Sequence, residues 1–237
     1  MRDLYELMTV ADPAWPGLSA ELKLGPIRLF PGDPALGQAC LLRLQVSAAS
    51  ALGAMALHSG GFLVDGGWVR VYGGVSAPGG PPSLTHVNGM LDPSWNPEAG
   101  LVVGHDVLGG VFGLNGVNPD AAGRPGAPGQ MVYFAPDTLE WEALDLGHST
   151  WLSWLAVGGT SGFYAGLRWP GWETETHALA PWQGIAAYPF LWSEQGRANV
   201  AATQRRAVPM AELLGIAADT CEQLGLPDPG FLGDVTG

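Results

Sequence analysis

The chain has 237 residues, 47% of them hydrophobic and 14% charged, and its 22 acids against 10 bases give a formal net charge of -12. So much apolar side chain in a chain of this length rules out disorder and allows a sizeable core without disulfides. The charge argues against binding to phosphate backbones or anionic lipid surfaces, both of which need basic side chains, and Lys23 is the sole lysine.

Residues 1–6 meet acids at once and hold no apolar core of the kind a signal peptide needs, so the protein is expected to stay in the cytoplasm. The longest apolar tracts, residues 48–57 and 101–117, are too short or too broken by glycine and Asp106 to span a bilayer. Cys40 and Cys221 occupy apolar helical positions and read as buried thiols in a reducing compartment.

Leu4, Leu7 and Met8 have helical spacing. Asp12-Pro13 supplies a capping acceptor and a first-turn proline for a helix carrying Trp15, Leu18 and Leu22, and Asp33-Pro34 repeats that signal ahead of Leu36, Cys40, Leu41 and Leu44. Between them, residues 27–30 form a short strand candidate. Residues 53–72 fall into three short apolar runs, GAMALHSG, GFLVDGG and WVRVY, which predict an antiparallel meander with a tight turn at Asp65-Gly66-Gly67. Residues 73–100 contain five prolines and six glycines and show neither period, which makes them a lid, a binding loop or a mobile connection.

Residues 101–145 alternate short Val-, Phe- and Leu-rich runs with turn signals and predict the middle of a sheet. Ser149 can cap a helix with Trp151, Trp154 and Leu155 on one face, and Thr160 or Ser161 the next. Residues 184–188 are a last strand candidate, and Pro209 opens a closing helix through Leu213, Ala217, Cys221 and Leu224 that Gly225 stops and that should dock on the sheet. The expected fold is a single α+β domain over residues 1–237. Its central, mostly antiparallel twisted sheet is drawn from residues 53–145 and 184–188 and flanked by helices at both chain ends.

No complete catalytic set is present. Glu173-x-Glu175-x-His177 is the most metal-like grouping, but a metal site needs three or four ligands, and a solvated helix face explains the spacing more simply, so no cofactor is expected. His105 and Asp106 are adjacent on a strand and so point to opposite faces. The block Arg168-Trp169-Pro170-Gly171-Trp172, with Trp182 and Trp192 downstream, is the best recognition candidate, since tryptophan and arginine are enriched at interface hot spots, although core packing competes for each ring; Trp68 is a further candidate binding residue. Asp65, Asp106, Asn115 and Asp137, at strand ends, could line a cleft under the 73–100 loop; turn chemistry also places such residues there.

The blocks DPAWP, GWVRVYG, DVLGGVFGLNG, VYFAPDTLEWEALDLG, FYAGLRWPGWE and RRAVPMAELLG resemble a bacterial family catalogued as a domain of unknown function, number two-six-two-five, over nearly the whole chain. A more diffuse pattern, with Val132-Tyr133-Phe134 and Asp137, is similar to the SUKH superfamily, which groups a yeast cell-wall regulator with bacterial toxin-immunity proteins. That likeness implies an α+β module that binds other proteins. The expected function is accordingly a non-enzymatic, immunity-like or regulatory protein-binding module. The alternatives are an enzyme or small-ligand binder with a cleft under residues 73–100, and a purely structural protein.

Overall fold

Two helix starts that read alike in sequence are built differently. The computed structural model describes residues 1–96, 98 and 100–236. In helix α1 (Leu4–Met8), the Asp3 and Glu6 carboxylates each accept from the other's backbone N–H, forming a capping box. Helix α2 (Trp15–Leu22) begins at Ala14 with no side-chain cap, and its early proline is Pro16, so Asp12 stays outside. A tertiary bond takes the cap's place: the Ala14 N–H donates to Ala48 O at 3.0 Å. After strand β1 (Ile27–Pro31), helix α3 (Pro34–Leu44) starts as expected, with the Asp33 carboxylate accepting from the N–H groups of Ala35 and Leu36, both at 3.0 Å.

The first run of the expected meander is a helix instead, α4 (Ala51–His58), capped by Ser50 on the Gly53 N–H at 3.0 Å. Residues 52–57 are all buried. A helix that is apolar all round has no 3.6-residue rhythm and is easily read as a buried strand. The other two runs are strands, β2 (Ser59–Val64) and β3 (Val69–Val71), joined by the expected turn at Asp65–Gly67.

Strands β4 (Gly100–Asp106), β5 (Val111–Asn115), β6 (Gln130–Ala135) and β7 (Glu140–Gly147) follow the short helix α5 (Leu84–Val87). With β1, β2 and β3 they make one seven-stranded antiparallel sheet in which every strand lies beside its neighbour in sequence. This is the α+β architecture read from the sequence, with two corrections to the sheet. One of its edges is β1, outside the expected residues 53–145. Strand β8 (Gln183–Tyr188) does not join the central sheet but pairs with β9 (Gln204–Pro209) in a separate two-stranded sheet, in register from Gln183↔Pro209 to Tyr188↔Gln204. The Ile185 N–H donates to Val107 O at 2.7 Å and so holds the small sheet to the end of β4.

One face of the large sheet is covered by α6 (His148–Ala156) and α7 (Thr160–Phe163), with Trp151 against Phe112 at 5.1 Å and Phe163 against Tyr133 at 5.0 Å between ring centres. Ser149 lies inside α6, whose N-cap is Gly147, and Thr160 is the first residue of α7, so neither caps its helix. Helices α8 (Trp172–His177) and α9 (Glu194–Ala198) flank β8 in the chain. The closing helix α10 (Met210–Leu224) ends at Gly225, which takes a φ of 69°. It contacts β8 and β9, and the Cys221 thiol points to Leu139 O at 3.8 Å.

Residues 226–236 then return across the other face of the large sheet as an extended strap. Trp141 Nε1 donates to Pro229 O (3.0 Å) and Arg124 to Phe231 O (3.3 Å), His105 Nε2 meets Leu232 O (2.8 Å), and the Asp234 N–H donates to Val87 O (2.9 Å).

The two Asp-Pro signals differ in a measurable way. Asp33→Ala should lower unfolding stability by about 1 kcal/mol, as loss of a side-chain cap does. Asp12→Ala should stay within about 0.5 kcal/mol of the parent. Urea denaturation of the two variants checks both.

Candidate functional site

Five of the residues singled out from the sequence come together around the turn between β2 and β3. Asp65, in a left-handed conformation with φ 47°, accepts from Thr160 Oγ1 at 2.6 Å and pairs with the guanidinium of Arg168. That guanidinium lies over the rings of Trp172 at 4.2 Å, Trp68 at 5.0 Å and Tyr164 at 5.6 Å. Trp68 in turn meets Trp172, Tyr164 and Trp169 at 5.0, 5.4 and 5.6 Å between ring centres. Gly66 lets the turn approach α8, since a Cβ there would come within 2.4 Å of the His177 ring.

The cluster continues into the small sheet. Trp169 Nε1 donates to Glu175 Oε1 at 2.8 Å, Glu175 pairs with Arg205 at 3.1 Å, and Arg205 lies 4.4 Å over the Trp169 ring. Trp68 and Trp169 are buried, at 0% and 2% exposed, which removes them from the surface where a recognition role would need them. Arginine stacking and ring burial explain this placement: these side chains gain most when water is excluded from them.

The proposed cleft residues do not converge. Asp106 is fully buried, with Oδ2 accepting from the hydroxyls of Tyr133 (2.6 Å) and Tyr164 (3.0 Å) and Oδ1 from the N–H groups of Leu108 (2.8 Å) and Gly110 (3.0 Å). Burial pushes its carboxyl up against the pull of those four donors. Asn115 spends its amide on Pro125 O (2.8 Å) and Ala127 O (3.4 Å), holding the 116–129 loop in place. Asp137 sits half-buried in the β6–β7 turn, and Asp65 belongs to the aromatic cluster.

Much of the described part of the 73–100 loop is packed into the fold. Val75, Ser83, Leu84, Val87, Asn88 and Met90 are buried, and a Cβ on Gly74 would lie 1.7 Å from Ala56 O. Asn88 fixes the loop to β4 by donating to Val102 O (2.9 Å) and accepting from the Val102 N–H (2.8 Å). Residues 97 and 99 of this loop lie outside the described residues.

Two of the metal-like trio on α8 are otherwise engaged. His177 Nδ1 bonds Glu173 O at 2.6 Å and Glu175 is committed to Trp169 and Arg205. Among the described residues, no group of three or more His, Cys, Asp or Glu side chains is placed to hold a metal ion.

His105 and Asp106 do point to opposite faces, as expected. His105 takes a hydrogen bond from the Tyr72 hydroxyl at Nδ1 and donates from Nε2 to Leu232 O. Burial lowers its pKa to about 4, so the imidazole is neutral at pH 7. Beside it in register, between Leu63 and His105, Arg70 is 2% exposed. Its Nε and Nη1 have no hydrogen-bond partner among the described residues, and burial brings its pKa down to about 10.

The downstream part of the sequence's recognition candidate, Trp182 and Trp192, lies at the small sheet with exposed neighbours that the sequence does not single out. Trp182, Tyr188 and Phe190 keep 37%, 65% and 37% of their surface exposed, and Phe190 stacks on Trp192 at 4.5 Å. Arg206 stands across the ladder from Ala186, and Gln204 across from Tyr188. The available signal was the pairing of two short segments, residues 183–188 and 204–209. The second segment is too polar to declare itself as a strand.

A model of the family described as protein of unknown function DUF2625 matches residues 4–213. The uncharacterized Escherichia coli protein YbfG is 34% identical over 219 residues, covering 90% of this chain and 94% of its own. An uncharacterized protein of Haemophilus influenzae is 28% identical over 192 residues, covering 76% of this chain and 78% of its own. No solved structure matches significantly.

Two stability measurements follow from the buried polar groups. Arg70→Met should leave stability unchanged or raise it by up to about 2 kcal/mol, because it removes a buried charge with few partners; a loss of more than about 1 kcal/mol would show that the guanidinium is well compensated. The second concerns His105, whose folded pKa lies below its unfolded one. The unfolded chain therefore takes up the proton first, and stability falls as pH drops from 6.5 toward about 4. The span corresponds to roughly 3 kcal/mol. His105→Gln keeps a donor and an acceptor without titrating there, so urea unfolding of the variant should lose less stability over that window by about this amount. Asp106 shifts in the opposite sense but is common to both proteins and cancels in the difference.

Proposed function

The chain belongs to the family described as protein of unknown function DUF2625, and we propose that it is a cytoplasmic, non-enzymatic protein-binding module, immunity-like or regulatory in kind. One observation carries the reading: exposed aromatic side chains and arginines share the surface of the small sheet. Trp182, Tyr188 and Phe190 stand open to solvent there, and a groove of about 340 Å³ runs between Ala186, Tyr188, Phe190, Gln204, Arg206 and Ile216. Large aromatics and arginine supply most of the energy at protein interfaces. Arg197, Arg205 and Arg206 bring three of the ten bases into residues 197–206; Arg205 is paired with Glu175, and Arg206 with Glu212 across an exposed contact that a partner's carboxylate would exchange at little cost.

Two further facts fit a cytoplasmic protein of this kind. Cys40 and Cys221 are free and buried. Among the described residues, no helix is long and apolar enough to cross a membrane. The rival reading, a catalytic or small-ligand cleft under residues 73–100, finds its polar residues dispersed and its loop packed.

A photo-crosslinking amino acid at Gln204, with Ala20 on α2 as the reference position, tests this in the native host. Both positions are exposed. The expected result is a discrete protein adduct from position 204 that disappears when Phe190→Ser is added, and none from position 20. No adduct from 204, or equal adducts from both positions, overturns the reading.

A further inference from the structure

We propose that the free edge of β9 accepts an extended, acidic segment of a partner protein as a third strand of the small sheet. This rests on the protein-binding reading above and adds the mode and the chemistry of the contact.

In an antiparallel pair, residues alternate between those that exchange both backbone bonds with the partner strand and those whose N–H and C=O point away from it. The Met210 N–H donates to Trp182 O at 2.9 Å, which sets the phase: Gly184/Val208, Ala186/Arg206 and Tyr188/Gln204 are the bonded pairs. The Ile185 N–H confirms that phase, because it turns outward to Val107 O at 2.7 Å. By the same alternation, Arg205 and Ala207 direct their N–H and C=O groups to the free side of β9. No backbone partner meets them among the described residues. Two donors and two acceptors at that spacing fit a short added strand.

The edge is held in place before any partner arrives. Val208 and Met210 are buried at 2% and 1% exposed, and the Arg205 side chain is fixed by Glu175 and Trp169. Preorganisation of this kind lowers the ordering cost of binding.

The flanking side chains set the partner's chemistry. Among the described residues Arg206 is paired with Glu212 alone, across a solvent-exposed contact of 2.8 Å that contributes little and can be exchanged. Arg197 is exposed a few residues upstream. A segment that alternates carboxylates with apolar side chains would turn its acids to the face that carries Arg206 and its apolar side chains to the opposite face, where Arg205 lies over Trp169. A second copy offering its own edge strand β7, where Glu140, Glu142 and Asp145 are exposed, is the competing occupant.

The probes are peptides of about eight residues, a usual strand length, alternating valine with aspartate, the same with lysine, and the aspartate peptide N-methylated at alternate positions. The aspartate peptide should bind and slow amide hydrogen exchange at Arg205 and Ala207 by about tenfold. The lysine and N-methyl peptides should bind at least about tenfold more weakly, as should the aspartate peptide to Ala207→Pro, which removes one outward N–H and leaves the ladder to β8 intact. If exchange at Arg205 and Ala207 does not change, and the adduct from position 204 survives in Ala207→Pro, the edge inference falls while the protein-binding reading stands. If position 204 gives no adduct in the parent, both fall. Concentration-dependent self-association of the full chain that Ala207→Pro abolishes would also overturn the inference, in favour of the second copy.

Discussion

Burial of β4, β5 and β6 on both faces is the constraint to which the remainder of the chain answers. A strand covered on both sides cannot leave a polar side chain to water, so each one it carries must find a partner inside the protein. His105 and Asp106 meet that demand on opposite faces of β4. Asp106 is satisfied by Tyr133 and by Tyr164, the latter just beyond α7, which ties the helical layer to the sheet. His105 is satisfied by Tyr72 and by the strap carbonyl of Leu232, which ties the end of the chain to the other face. The two adjacent polar residues that look like candidate catalytic groups therefore act as fasteners for the two covering layers. Gly110 shows how tightly one of them is closed: a Cβ there would lie 2.1 Å from the Asp106 carboxylate.

The small sheet is joined to the large one by charge and rings in alternation. Asp65 holds Arg168, Arg168 rests on Trp68 and Trp172, Trp68 meets Trp169, and Trp169 is bonded to Glu175, which holds Arg205 on β9. Each contact is modest, since cation–π and ring–ring pairs contribute about 0.5–2 kcal/mol apiece. Their effect is cumulative because they share side chains, and each ordered residue restricts the next. The result is a two-stranded sheet, normally marginal by itself, held rigidly against a large core.

Much of this fold was legible because local chemistry and tertiary structure agree. Asp33-Pro34, the Asp65-Gly66-Gly67 turn, the strands from 101 to 145 and the Pro209-to-Gly225 helix all form where their signals stand. Failures came where tertiary bonds replaced local ones. Ala14 is fixed by Ala48 rather than by an Asp12 cap, α4 is buried all round and shows no period, and β8 finds its partner in a segment whose polarity hides it. The aromatic cluster was half legible. Composition picked out Arg168, Trp169 and Trp172, and the turn signal picked out Asp65, but no spacing rule could say that a turn at 65–68 would fold against residues 164–177. Nor could it distinguish rings that face inward from rings that face water. That depends on which helix covers which face, and for the same reason Trp182 could be named from the sequence while the exposed Tyr188 and Phe190 could not.

Of the four sheet edges in this fold, that of β8 is engaged by Val107, and the other three are treated differently in a way that bears on function. An open strand edge invites pairing with another chain, and proteins usually blunt it with proline or charge. The β1 edge ends in Pro31, and the β7 edge exposes Glu140, Glu142 and Asp145. Like charge on a chain of net charge -12 repels further copies, so β7 is protected against its own kind. The charges on β9 are positive, Arg205 paired with Glu175 and Arg206 with Glu212 across an exposed contact, and exposed aromatics lie beside them. Arginine there deters a basic strand but favours an acidic one, which makes the blunting selective. That selectivity is what the proposed acidic strand would use.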